Sequence, residues 1–137
     1  MPAQKATPNS AEKTTRGAAK GLQPSVTAVN EVRIVGTVQS DPQVRQMPSG
    51  DELVVLRVSV ERPASARRSS RSPRYDVFEV NCFTASTRKA ACRLREGQAV
   101  EVLGAMRRRV RRVDAGAMVR MELEAMRVRT GRSIMTG

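Results

Sequence analysis

Glu52-Leu53-Val54-Val55-Leu56-Arg57-Val58-Ser59-Val60 is the stretch that decides the fold class. Val54, Leu56, Val58 and Val60 fall on one side of an extended chain, and Arg57 and Ser59 fall on the other. Side chains alternate between faces along a strand, so this period of two describes a half-buried β-strand. On its N-terminal side, Met47-Pro48-Ser49-Gly50-Asp51 reads as a turn. Before that turn, Val32, Ile34, Val35 and Val38 form a β-branched run, expected to end at Ser40-Asp41-Pro42 with Asp41 capping its own turn. On the C-terminal side, residues 61–74 are rich in Pro, Ser and Arg, and are expected to form a long solvated loop. A third strand follows over Tyr75–Phe83, with Phe78, Val80 and Cys82 as its core face.

The period of two is lost over residues 84–96, where Ala, Arg, Lys and Leu dominate and Gly97 stands where a C′ glycine would end a helix. Ala90, Ala91 and Leu94 are its expected buried stripe. A fourth strand covers Ala99–Arg109, with Gly104 at a bend or bulge. Asp114-Ala115-Gly116 is a turn, and a fifth strand covers Ala117–Arg129. Its apolar phase runs through Val119, Met121 and Leu123 and then slips to Met126 and Val128, which places a bulge or sharp bend near Ala125. The order is β-β-β-α-β-β. An all-β chain with one short helix between its third and fourth strands matches the layout of a five-stranded OB-fold barrel. Periodicity by itself leaves other small β-barrels open.

The 137 residues suit one small domain with some chain to spare. Residues 1–28 lack any hydrophobic period and read as a disordered basic head, residues 29–130 as the barrel, and residues 131–137 as a short flexible tail. The chain has no His, which removes the commonest general base and the commonest metal ligand. Cys82 and Cys92 make neither a four-Cys metal site nor a disulfide framework, and are expected to be small buried apolar residues. Acidic residues are scattered without a pairing signature, and no nucleotide-binding glycine loop is present. An enzyme is not expected, nor is a metal or cofactor. No apolar run approaches the roughly 20 residues of a membrane span, and the N-terminus has no apolar block for secretion, so an intracellular protein without a membrane partner is expected.

The net charge is +12. Most of it lies in two acid-free segments of +5 each: Arg62, Arg67, Arg68, Arg71 and Arg74, and then Arg107, Arg108, Arg109, Arg111 and Arg112. An evenly solvated surface would not concentrate charge in this way. Arg outnumbers Lys 21 to 4, and a guanidinium offers a planar fork to phosphate and a stacking face to a base. A polyanion is the expected partner. Only Tyr75, Phe78 and Phe83 are aromatic, which limits the usual stacking route to single strands.

Residues 30–50 carry Asn30, Val32, Val35-Gly36, Asp41-Pro42, Val44-Arg45, Pro48 and Gly50 in order. This resembles the opening of the bacterial single-stranded DNA-binding protein family. The likeness continues through Val80-Asn81-Cys82-Phe83 and Leu94–Val102, and spans residues 29–129. It implies an OB-fold barrel that binds single-stranded DNA without sequence dependence, in replication, recombination or repair, in a cytoplasmic, nucleoid-associated setting. It also implies a homotetramer with the first strand at one interface, where Val32 and Ile34 are candidates, or pairing with a paralogous member. The family stacks bases on several Trp or Phe side chains; here Phe83 keeps such a place, while Val77 and Arg111 stand where Trp is common. No acid follows Glu124, so recruitment of other proteins through an acidic tip is not expected.

The resemblance places both +5 segments on connections flanking the family's binding groove. If residues 107–112 stay extended, Arg107, Arg109 and Arg111 share one face and are expected to track phosphates, with Arg108 and Arg112 on the other face. Arg62, Arg67, Arg68, Arg71 and Arg74 are expected to act as a flexible electrostatic arm. Phe83 is the candidate stacking platform, with core packing as its alternative; Tyr75 and Arg57 complete the candidate set, Phe78 is read as core, and Met47 as covering a barrel end, with contact to a base as its alternative. An RNA-binding or duplex-binding protein of the same fold remains a rival, as does a partner subunit that contributes little binding itself.

Overall fold

The structure is a computed structural model, and it describes residues 25–131. Nearly all of the expected head and tail therefore lie outside the described residues. Five strands and a helix follow in the order β1 (Val32–Gln46), β2 (Glu52–Glu61), β3 (Tyr75–Cys82), α1 (Ala85–Cys92), β4 (Ala99–Val113) and β5 (Gly116–Thr130). They close into a barrel with the strand order β1-β2-β3-β5-β4. All neighbouring pairs are antiparallel except β3 with β5. This is the OB-fold layout, with the helix between the third and fourth strands.

The alternation of β2 drives Leu56 and Val58 inward, where they meet Val80, Cys82, Val100, Val102 and Leu94 in a fully buried core. Ile34 is buried in that core, which leaves its side chain little surface for the intersubunit role expected of it, while Val32 is only partly buried. β1 crosses β2 so closely at Gly36 that a Cβ there would lie 2.1 Å from the Ser59 carbonyl oxygen. Asn30 extends the β1–β4 edge by one side chain: its Nδ2 donates to the Met106 carbonyl and its Oδ1 accepts from the Met106 N–H.

Several local expectations are corrected. β1 does not end at Ser40-Asp41-Pro42; it runs on to Gln46 through two breaks in register, between Val38 and Ser40 and between Ser40 and Gln43. Pro42 has no N–H to give a ladder and is accommodated in this irregular stretch. Asp41 does not cap its own turn but accepts from the Glu96 N–H at 2.9 Å, tying β1 to the connection before β4. The helix is shorter than expected. Thr84 caps it by accepting from the Thr87 N–H, and it ends at Cys92. Thr87, Ala91 and Leu94 are buried, while Ala90 is only half-buried. Gly97, at φ +91°, belongs to the turn that follows. The Gly97 N–H donates to the Val38 carbonyl and the Val38 N–H donates to the Gln98 carbonyl, so this turn is clamped onto β1.

Phe78 is not core; it is 36% exposed at the barrel end away from α1, in an apolar cavity with Val32, Val60, Met106 and Leu123. Cys82 is buried, and burial pushes its thiol up to about 12. Cys92 is exposed, contrary to expectation. The 62–74 connection is not wholly irregular, since Ala64–Ala66 form a single 3₁₀ turn. Its base is closed by Arg62, whose Nε and Nη2 donate to both oxygens of Asp76 at 2.8–3.0 Å.

The slip in β5 is a bulge. Leu103 pairs with Arg127 and Gly104 with Ala125, leaving Met126 unpaired and 66% exposed. Gly104 is needed at this point because a Cβ would lie 2.2 Å from the Glu124 carbonyl oxygen. Past Leu123, which still pairs with Val80 of β3, β4 and β5 leave the barrel as a two-stranded arm joined by a turn at Asp114 and Ala115. β4 runs past the expected Arg109 to Val113 and β5 starts at Gly116, because Arg108–Val113 pair with Met121–Gly116 as strand. Among the described residues no helix is long and apolar enough to cross a membrane.

Candidate nucleic-acid interface

Strand alternation places Tyr75, Val77, Glu79 and Asn81 on the outer face of β3, and Phe83 continues that row just past its end. Arg57, on the outer face of β2, pairs across the ladder with Glu79, its Nη2 3.4 Å from Oε2. The β1–β2 turn rises at one side of this face. Its geometry comes from local bonds: the Met47 N–H donates to the Asp51 carbonyl, the Gly50 N–H to the Met47 carbonyl, and the Ser49 hydroxyl to Asp51. The β4–β5 arm rises on the other side. Between them lies a cleft of about 450 Å³ whose walls include Arg45, Met47, Phe83, Arg109, Arg111 and Arg120.

The arm stays extended through residues 107–112, so Arg107, Arg109 and Arg111 do share one face. Arg109 places its guanidinium carbon 5.4 Å from the centroid of Phe83, within cation–π range. Its Nε donates to Glu122 Oε1 at 3.0 Å, and the same oxygen accepts from Asn81 Nδ2 at 3.2 Å. Arg107 lies two residues nearer the barrel and donates to Glu124 Oε1 at 3.1 Å. Among the described residues, Arg45, Arg111 and Arg120 have no carboxylate partner. Their forks are therefore available in the cleft without first breaking an ion pair. Four Arg and two Glu, Glu79 and Glu122, line the cleft, which leaves a net positive wall around one aromatic ring.

The structure thus gathers Phe83, Arg109 and Arg111 into one cleft, with Arg57 at its border through Glu79. Arg108 and Arg112 stand on the opposite face of the arm beside the exposed Val110 and Val119. Arg62, Arg67, Arg68, Arg71, Arg74 and Tyr75 do not line the cleft. They lie toward the other end of β2 and β3, where Tyr75 is 53% exposed. Within that group Arg62 is not a swinging charge. Its hydrogen bonds to Asp76 hold that carboxyl below the usual carboxylate range and raise the Arg62 guanidinium further. Arg74 lies 3.9 Å from Glu61. Met47 lines the cleft.

Arg45, Arg120, Glu79 and Glu122 are cleft residues that the sequence reading did not single out. A signal existed for two of them. A two-residue turn at Asp114 and Ala115 fixes the hairpin register, and counting back from it sets Arg120 opposite Arg109 and Glu122 opposite Arg107.

Residues 29–130 match the family described as the Single-strand binding protein family. Among solved structures, the chain is similar to the Plasmodium falciparum SSB in complex with ssDNA. The identity is 15% and the TM-score 0.59, over 78% of this chain and 96% of that chain. At that identity the likeness is one of fold, and it agrees with the closed barrel described above. The family match covers most of the chain, and the chain belongs to the single-strand binding protein family.

Proposed function

We propose that this protein binds and protects single-stranded DNA, without a defined sequence requirement, along the cleft between the β1–β2 turn and the β4–β5 arm. One observation carries the reading: on a barrel of this family, Arg45, Arg109, Arg111 and Arg120 converge around Phe83. Phosphate neutralisation by these forks supplies most of the affinity, and the single ring limits stacking. Arg107 and Arg57 extend the charged track. The loop arginines Arg67, Arg68 and Arg71 add attraction at longer range, as does the basic head, read as residues 1–28 ahead of a barrel at 29–130 and a tail at 131–137.

In this reading the protein is a binding protein and not an enzyme. It acts in replication, recombination or repair on cytoplasmic, nucleoid-associated DNA. It acts as an oligomer, a tetramer of its own copies or a mixed assembly with a paralogue. The surface proposed to join copies is the outer face of β1 and β4, where Val35 is exposed and Glu101 is held between Arg33 and Arg129.

Titration of oligo-dT at several salt concentrations tests the reading. A protein making about 6–10 phosphate contacts loses roughly 10³–10⁵ in affinity between about 50 and 200 mM salt. A flat log–log slope would overturn the proposal. Competition by duplex DNA and by RNA at one fixed salt concentration separates single-strand binding from its rivals, and mass measurement of the complex gives the number of copies.

A further inference from the structure

Of the carboxylates lining the cleft, Glu122 has one oxygen that orienting Arg109 does not use. Glu122 is 23% exposed at its side chain and faces the same cleft as Arg45, Arg111 and Arg120. Its Oε1 is used by Arg109 and Asn81, while its Oε2 has no hydrogen-bond partner among the described residues. A free carboxylate oxygen repels a phosphate, so the group seated beside it is a hydrogen-bond donor. In single-stranded DNA the available donors are the base edges.

The stacking surface next to that oxygen is planar and layered. Arg109 lies on Phe83, and a base entering the cleft stacks on the outer face of the guanidinium or takes its place on the ring. A base held there meets both donors, the forks of Arg111, Arg45 and Arg120, which no carboxylate holds, and an acceptor, Glu122 Oε2, in the same cleft. Guanine matches both. Its O6 and N7 are adjacent acceptors suited to an arginine fork, and its N1–H and N2–H₂ are adjacent donors that can converge on the one free oxygen of Glu122. Thymine presents a single N–H between two carbonyl oxygens, and those oxygens face Glu122 unfavourably. Cytosine and adenine offer an amino group without a second donor beside it.

We infer that this cleft is a guanine-preferring base subsite, with Glu122 as the residue that reads the N1–H/N2–H₂ edge. The inference rests on the proposed single-strand binding and adds a base preference to one position along the strand.

The test compares labelled oligonucleotides of equal length, alternating guanine–thymine, alternating hypoxanthine–thymine and all-thymine, in a lithium buffer that disfavours guanine quadruplexes. Hypoxanthine keeps O6, N7 and N1–H and lacks only the 2-amino group, so this arm needs no protein variant. The guanine strand is expected to bind about fivefold or more tightly than the hypoxanthine strand, the low end of one good base contact. Glu122→Gln is expected to bring that ratio close to one while tightening binding to all-thymine strands. Equal binding of all three strands by the unaltered protein overturns the guanine subsite and leaves single-strand binding standing. A guanine preference that persists unchanged in Glu122→Gln overturns the role given to Glu122. Failure to bind any of the strands overturns the single-strand reading itself, and the subsite with it.

Discussion

Arg109 lies over the ring of Phe83, 5.4 Å from its centroid, while its Nε holds Glu122. The only aromatic ring in the cleft is thus already covered by a planar cation in the free protein, and that cation is oriented by a carboxylate from the partner strand of the same arm. The pair forms one unit: the ring fixes the plane of the guanidinium, and the guanidinium presents charge and a flat face to what enters.

Phe83→Leu is therefore expected to weaken oligo-dT binding by about 1–3 kcal/mol, the range for one stacked base. Arg109→Ala is expected to cost less in that background than in the unaltered protein, because the plane it offers has lost its support. A double-mutant cycle by fluorescence titration measures the coupling. Strictly additive losses would show that the two side chains act separately.

Arg107, Arg109 and Arg111 share the cleft face of the arm. Replacing all three by Ala is expected to lower the log–log salt slope by up to about 2, at roughly 0.7 per phosphate contact on a single strand. Replacing Lys5, Lys13 and Lys20 instead is expected to change affinity less. Equal losses from the two triple variants would mean diffuse attraction and no groove.

Gly104→Ala is a stability prediction. The added methyl would meet the Glu124 carbonyl at 2.2 Å, and backbone atoms on a paired strand move aside less easily than a side-chain tip. Overpacking of this kind costs about 1–3 kcal/mol. A lower urea midpoint without a change of slope is the expected result.

The Arg62–Asp76 clasp has a defined pH sense. Asp76 titrates lower in the folded protein than in the unfolded chain because Arg62 hydrogen-bonds its charged form. Its contribution is present at neutral pH and is lost as the pH falls through the folded-state value. Asp76→Asn is expected to lower the urea midpoint at pH 7, with the gap from the unaltered protein closing in strong acid. At neutral pH the variant should also be cut faster by trypsin between Arg62 and Arg74. An equal gap at both pH extremes would contradict this assignment.

The two thiols should separate by reactivity. Cys92 is exposed, while Cys82 is buried with its thiol pushed up to about 12. Thiolate is the reactive form. Mass spectrometry after maleimide treatment near neutral pH should show one label per folded chain, on Cys92, and two after denaturation.

Much of the barrel was legible in the residues. The alternation of Val54, Leu56, Val58 and Val60, the loss of period after Phe83, and the apolar slip beyond Leu123 mark strand, helix and bulge by purely local rules. What stayed hidden depends on distance in sequence. Asp41 has a partner at Glu96, and nothing near residue 41 announces it. Phe78 obeys the period of two, which tells the face of a strand but not how far along the barrel axis the core extends, so its half-exposure was invisible. The same holds for the site. Summing charge by segment found the arginines of the arm, but Glu122 and Glu79 lie in segments whose charges nearly cancel, and their place beside the arginines appears only once the strands are paired.

The unpaired Met126 makes β5 change its inside and its outside partway along its length. Two segments with opposite parity are thereby spliced into one strand: residues 127–130 stay on the barrel, while the other segment runs from the core positions Ala125 and Leu123 out into the arm. The arm can then vary on its own during evolution, subject to an arithmetic rule. Adding one residue to each strand beyond the bulge would turn the outermost arginines away from the cleft, whereas growth in steps of two residues per strand preserves their aim. Length polymorphism among relatives should obey that parity wherever the arm still grips nucleic acid.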